Sequence, residues 1–390
     1  MQARAKAWAG NLALAAGAIG ATFMFLELVV FGIILVPDDV LHNVTIDGVV
    51  RYQPDTRAVF RHPDGRQTLV TINHEGWNST KADYALLPDP ARLRVAVVGD
   101  SYVHGAFVNV DQGFPEVLER ALGEAGRPAE VLRFGMDGAP LSQYLYMMRR
   151  EVVRYHPDIV VVPLIHNDFD ESYRFLGTRY NSSFMKIGEE ADGSPVEILP
   201  QPFRPGWPDV LRELRTFRYL YYETNFYLTA KSFVSRYVWG EEEDWRPEFI
   251  SSAVDIRNIS DEARIRKVTA YIMGEMKKLA EEQGFLLVFA MDGVREAVYQ
   301  GRSAEDFAVG RLNRIAAEES ARLGLPFLDL QQTFADDFAV HRQRFEFAYD
   351  WHWNERANDL VGHALARYLE GDKRLLGGRS LPRQSVLATQ

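Results

Sequence analysis

Val97-Val98-Gly99-Asp100-Ser101-Tyr102-Val103-His104-Gly105 is the stretch on which the reading of the fold turns. It starts at the end of an apolar run, residues 93–98, short enough for a buried strand, and passes through a glycine to a serine at the head of a helical segment. A serine released there, at the carboxyl end of a parallel strand, projects its hydroxyl into the crevice where ligands of open α/β sheets collect. The helix N-terminus behind it offers free N–H groups and positive dipole to a developing oxyanion. Gly-Asp-Ser is common as a bare tripeptide; its position here makes it informative.

Working outward, short apolar runs alternate with segments of helical period. The runs at 93–98, 129–133, 159–164, 286–290 and 326–328 predict strands, and 114–125, 141–155, 261–283, 304–323 and 355–369 predict helices. Strand and helix in strict turn imply βαβ crossovers. The expected fold class is therefore α/β, a flavodoxin-like three-layer α/β/α arrangement with a mostly parallel five-stranded sheet. Ahead of it, residues 40–90 alternate in short stretches broken by His62-Pro63-Asp64-Gly65 and Pro88-Asp89-Pro90, the pattern of a small β-rich lead-in. Residues 170–260 interrupt the alternation as an insertion within the domain 91–370. It carries an aromatic-rich helical part, Phe217 to Trp239, and an acidic run at 241–244, read as core packing and a solvated loop. Residues 371–390 read as a flexible tail.

At the N-terminus the composition changes. Nearly every residue from Leu12 to Val36 is apolar or small, and Glu27 carries the only formal charge. That length is enough for one transmembrane helix, which takes about 20 residues, and bulky residues running up to Pro37 argue against a cleaved leader, whose apolar region is about 7–15 residues. Arg4 and Lys6 before the span and Asp38 and Asp39 after it put the N-terminus in the cytoplasm, with residues 1–39 as stub and anchor. The main domain is then extracytoplasmic, in the periplasm of a double-membrane bacterium. A carboxylate at Glu27 inside hydrocarbon is costly; it reads either as a snorkelling group or as a contact for another integral membrane protein. Of 390 residues, 44 are Lys or Arg and 54 Asp or Glu, a formal charge of −10 that speaks against nucleic acid as a partner. Without cysteine, the chain has no disulfide scaffold, thiolate metal site or cysteine nucleophile.

A serine needs a base to become a nucleophile. Asp350-Trp351-His352-Trp353-Asn354, ahead of the last predicted helix, places an acid and a base on one loop at the strand ends. A spacing of two excludes a shared helix face but permits a turn in which Asp350 holds the imidazole. Gly138 after the second strand and Asn167 after the third supply a close-approaching N–H and a neutral amide donor for an oxyanion. Each residue alone has an ordinary structural explanation; all four at the ends of the first, second, third and last elements of one sheet do not.

On these residues the sequence resembles the SGNH, or GDSL-type, hydrolase superfamily, in its membrane-anchored bacterial form, from about Asn73 to Leu369. Asn73-His74-Glu75-Gly76-Trp77 is similar to the lead-in of anchored and secreted relatives, Gly99-Asp100-Ser101 to the first block, Gly138 to the second, Asn167 to the third, and Asp350 with His352 to the last. The resemblance implies Ser101 as nucleophile, His352 as general base, Asp350 as its orienting acid, and Ser101, Gly138 and Asn167 as the oxyanion hole, with no metal or organic cofactor. The sequence departs from the pattern at three places. His166 stands where a glycine usually precedes Asn-Asp and is expected to narrow or polarise the pocket, one residue instead of two separates Asp350 from His352, and Arg133 replaces a frequent asparagine.

The expected function is a membrane-anchored serine esterase cleaving an acyl ester on an envelope glycan or lipid. An O-acyltransferase using the same residues, or a non-catalytic accessory subunit on the same scaffold, remains open at this point.

Overall fold

All five apolar runs form strands in the computed structural model, which describes residues 2–174, 181–223 and 259–371. The strands are β1 (Leu93–Gly99), β2 (Ala129–Gly135), β3 (Ile159–Leu164), β4 (Leu286–Met291) and β5 (Phe327–Asp329). They make one sheet in the order β5-β4-β3-β1-β2, and every neighbouring pair is parallel. This is the flavodoxin-like order, and it reverses direction between β1 and β3. Near-continuous Val, Ile and Leu in β1, β3 and β4 suit strands covered on both faces. Val95, Val97, Val131, Val161 and Val288 face one layer, built around the helices Phe114–Glu124 and Glu355–Gly371. The helices Leu141–Arg150, Glu262–Gln283 and Gly310–Leu323 form the opposite layer.

Pro163 sits near the end of β3 and lacks an N–H to donate. The β1–β3 ladder accordingly stops at Val97↔Val161, whereas β1 and β2 stay paired to Gly99↔Gly135. The crevice opens where β1 and β3 part.

Two expected helices are shorter than their periodicity suggested. The segment 141–155 leaves α-geometry at Glu151 and finishes as a 3-10 turn, Val152–Tyr155. Buried Glu151 accepts both Arg51 Nη groups, at 2.9 and 3.0 Å, and the Tyr155 hydroxyl at 3.0 Å. The segment 304–323 begins as a separate 3-10 turn, Ala304–Asp306, before the helix starts at Gly310. Two helices longer than five residues escaped the sequence reading, Arg295–Gln300 and Gln331–His341. The lead-in carries the short strands Asn43–Ile46, Val49–Tyr52, Arg57–Arg61 and Gln67–Thr71, and the insertion a hairpin, Lys186–Glu189 with Pro195–Ile198.

The chain divides into two compact units. The sheet belongs to the larger, Leu41–Arg57, Thr68–Phe203 and Pro247–Gln390; the smaller takes Met1–Val40, Ala58–Gln67 and Arg204–Arg246. In the smaller unit the helix Gln2–Phe25 runs on through Leu26–Ile34 in π-geometry, closed by Leu35 N–H donating to Val30 O at 2.7 Å. Trp8–Ile34, 27 residues, is long and apolar enough to cross a membrane. The chain then zips onto residues 58–61, where Asp39 Oδ2 accepts the Val59 N–H at 2.9 Å and Arg61 donates to Pro37 O at 2.8 Å. The aromatic stretch after Glu223, the acidic run 241–244 and the tail beyond Gly371 lie outside the described residues.

Candidate active site

Ser101 opens a single helical turn, Ser101–His104, at the tip of β1. Asp100 caps it, its Oδ1 accepting the Tyr102 N–H at 2.9 Å. The other end is capped by Arg133, whose guanidinium reaches Val103 O at 2.5 Å and His104 O at 3.0 Å while pairing with Glu116 at 2.9 Å. A cation in the middle of buried β2 thus has a role: it satisfies the carbonyls that so short a helix leaves open. Gly135 lets β2 press against the same turn, because a Cβ there would lie 2.2 Å from His104 N.

His352 reaches the serine from the far end of the chain. Its Nε2 lies 2.7 Å from Ser101 Oγ, and its Nδ1 lies 2.5 Å from Asp350 Oδ1. The same carboxylate oxygen accepts the His352 backbone N–H at 2.8 Å, so the one-residue spacing closes a tight turn. With Nδ1–H donated to Asp350, Nε2 is left to accept the serine proton. Phe107 stacks on the imidazole, ring centroids 4.5 Å apart.

The loop carrying His352 rests on a buried polar layer that sequence reading missed. Arg295, fully buried, donates to Trp351 O at 2.6 Å and to the Tyr102 hydroxyl at 2.9 Å. Tyr102 in turn donates to Trp351 O at 3.0 Å, and Trp353 Nε1 donates to Asp292 Oδ1 at 3.1 Å. Burial pushes the Asp292 carboxyl up to about 6, against the pull of the Arg295 guanidinium beside it. No motif marks these residues; Arg295 and Asp292 look in sequence like any surface pair.

Gly138 has φ +68°, the left-handed region that favours glycine. The preceding residue fixes the loop: Asp137 Oδ1 lies 2.6 Å from His104 Nδ1, and its N–H donates to Tyr52 Oη at 3.2 Å. Tyr52 Oη itself lies 3.0 Å from that imidazole nitrogen. Among the described residues, neither the Ser101 nor the Gly138 N–H is given to another protein group. Asn167 heads the turn Asp168–Glu171, and its side chain hydrogen-bonds the Glu171 carboxyl, which burial and then neighbouring Asp170 push up to about 7. Asp168 anchors the same turn, accepting the Tyr144 hydroxyl at 2.6 Å and the Ile165 N–H at 2.8 Å.

His166 does not narrow or polarise the pocket. It is fully buried, turned to Asn313 Oδ1 at 2.8 Å from its Nε2, and Asn313 donates onward to Asp292 O at 2.8 Å. Desolvation holds its imidazole down at about 4, so it is neutral. The cleft at the serine is lined instead by Gly105, Phe107, Val108, His352 and Trp353.

Glu27 belongs to the smaller unit. Its carboxylate accepts the Arg215 N–H at 2.7 Å, the Thr216 N–H at 2.9 Å and the Thr216 hydroxyl at 2.8 Å, so the chain itself supplies its partner.

No protein-family model matches the chain, and no curated protein matches it. Solved structures similar to it include an acetyl xylan esterase (13% identity, 70% of this chain and 98% of that one, TM-score 0.39). Others are a lipase/acylhydrolase from Enterococcus faecalis (14%, 72% and 96%, TM-score 0.38) and a lipase from a goat rumen metagenome (11%, 71% and 97%, TM-score 0.40).

Proposed function

We propose that this chain is a membrane-anchored serine hydrolase that cleaves an acyl ester on an envelope glycan or lipid. The observation that carries the reading is the hydrogen-bonded chain from Ser101 Oγ through His352 to Asp350, with distances of 2.7 and 2.5 Å. Ser101 Oγ attacks the ester carbonyl as its proton passes to His352 Nε2, and Asp350 stabilises the resulting imidazolium. The Ser101 and Gly138 N–H groups and the Asn167 amide take the oxyanion, each such donor being worth about 2.7–4 kcal/mol. His352 then protonates the leaving alkoxide, and water, deprotonated by the same nitrogen, releases the carboxylic acid.

The basic residues before the apolar helix and the acidic ones after it support an inner-membrane protein with its N-terminus in the cytoplasm and the sheet domain in the periplasm. The test is hydrolysis of small aryl esters by the full chain in detergent or vesicles. Release of acyl product that His352→Ala abolishes supports the hydrolase. Release only when an acceptor glycan is added, with the acyl group recovered on it, assigns the second step to a sugar hydroxyl and makes the chain an O-acyltransferase. No turnover under either condition refutes both and leaves the accessory-subunit reading.

A further inference from the structure

We infer that residues 207–221 of the smaller unit form a second contact with the bilayer, lying in its outer interface beside the anchor; this rests on the reading of Trp8–Ile34 as a membrane span. Three observations lead there. The segment is fastened to the anchor: its backbone satisfies Glu27, and the Tyr219 ring packs at a tilt against Phe31 with ring centroids 4.7 Å apart. Four of its large apolar side chains are exposed, Trp207 74%, Val210 68%, Leu220 41% and Tyr221 40%, beside exposed Glu213 and Arg215, and Leu28, Ile33 and Ile34 of the anchor are exposed too. Its charge is opposite in sign to that of the whole chain: Arg212, Arg215 and Arg218 outnumber Asp209 and Glu213, within a protein of net charge −10.

Depth follows from helix geometry. At about 1.5 Å per residue, the 27-residue span covers about 40 Å, the thickness of a bilayer with its headgroups. Glu27 is seven residues before Ile34 in the π-wound stretch, which rises less per residue than an α-helix, hence less than about 10 Å below that end and close to the headgroup–acyl boundary. Whatever bonds Glu27 shares that depth, and interfacial helices bury their apolar faces about 5–10 Å into this boundary. An ionised group there must be paired, and the N–H groups of Arg215 and Thr216 with the Thr216 hydroxyl do so. The occupant of the exposed apolar face is therefore lipid, with the arginines at anionic headgroups and Trp207 and Tyr221 in the belt where aromatic rings collect.

The chain has no cysteine, so single nitroxide labels can be placed on the full-length protein. Val210→Cys, Leu220→Cys and, as a mid-span reference, Ile19→Cys would be reconstituted in vesicles of phosphatidylcholine and phosphatidylglycerol. Their accessibility to oxygen and to a water-soluble nickel chelate would then be compared. The expected result is an oxygen-to-nickel ratio at Val210 and Leu220 raised several-fold over free label in buffer, with Ile19 higher still. A buffer-like ratio at both sites with Ile19 embedded overturns this inference and leaves the anchor standing. Low access to both reagents means that protein covers the face, which also overturns it. A buffer-like ratio at Ile19 removes the tether itself.

Discussion

Replacing Arg295 by methionine removes the guanidinium beneath the loop that carries His352 while keeping most of its apolar volume. Arg295 and Asp292 are both fully buried and lie 3.5 Å apart, and Arg295 also reaches Glu346 at 3.6 Å. Deleting one member of such a pair leaves an uncompensated buried charge and costs about 3–5 kcal/mol. The lost charged hydrogen bond to Trp351 O, typically worth about 1.5–3 kcal/mol, falls within that figure. Chemical denaturation of Arg295→Met should therefore show a loss of about 3–5 kcal/mol. Arg295→Met with Asp292→Asn should recover part of it, because the stranded carboxylate is gone. Ester hydrolysis at saturating substrate should fall in the single variant, since Trp351 O loses its strongest donor one residue from the base. A single variant within about 1 kcal/mol of wild type, or a double variant less stable than the single, would refute the view that a charged layer holds this loop.

Asn167→Ala should lower kcat by about 10²–10³ while KM changes little, as expected for a donor used in the transition state; a change confined to KM would assign Asn167 to binding. Asp350→Asn should keep the turn but misorient the imidazole and lower kcat by about 10⁴, read in the same ester assay; near-normal turnover would show that the short Asp–His spacing leaves the acid without a role. Burial pushes Asp100 up to about 7. Its fold therefore holds the proton more tightly than the unfolded chain, whose Asp releases it near about 3.9, so stability falls as pH rises from about 4 to about 7. Asp100→Asn removes that loss, and its gain in melting temperature should be larger at about pH 8 than at about pH 4; equal gains at both would exclude a desolvated carboxyl there.

What could be read from the sequence followed from how local each signal is. Strands β1 and β3 are apolar runs with no competing pattern, so their placement needed only period and length. Ser101, Gly138, Asn167 and His352 were legible because each stands beside the end of an element, and the structure brings His352 Nε2 to 2.7 Å from Ser101 Oγ. The meaning of Arg133 and Arg295 was hidden, because both act through backbone carbonyls far away in sequence, at His104 and Trp351. His166 misled for the reverse reason: its neighbour Asn167 heads the turn after β3, but its own side chain points back to Asn313. The break at Glu151 depends on Arg51, 100 residues earlier, and no helical periodicity could register it.

The central claim is that Ser101 is activated by a base brought 251 positions along the chain to within hydrogen-bond reach. Treating the full chain with a fluorophosphonate and locating the adduct by peptide mass spectrometry tests it directly. The account predicts one adduct, on Ser101, absent from Ser101→Ala and formed far more slowly in His352→Ala. Absence of any adduct, or labelling at the same rate without His352, would contradict it.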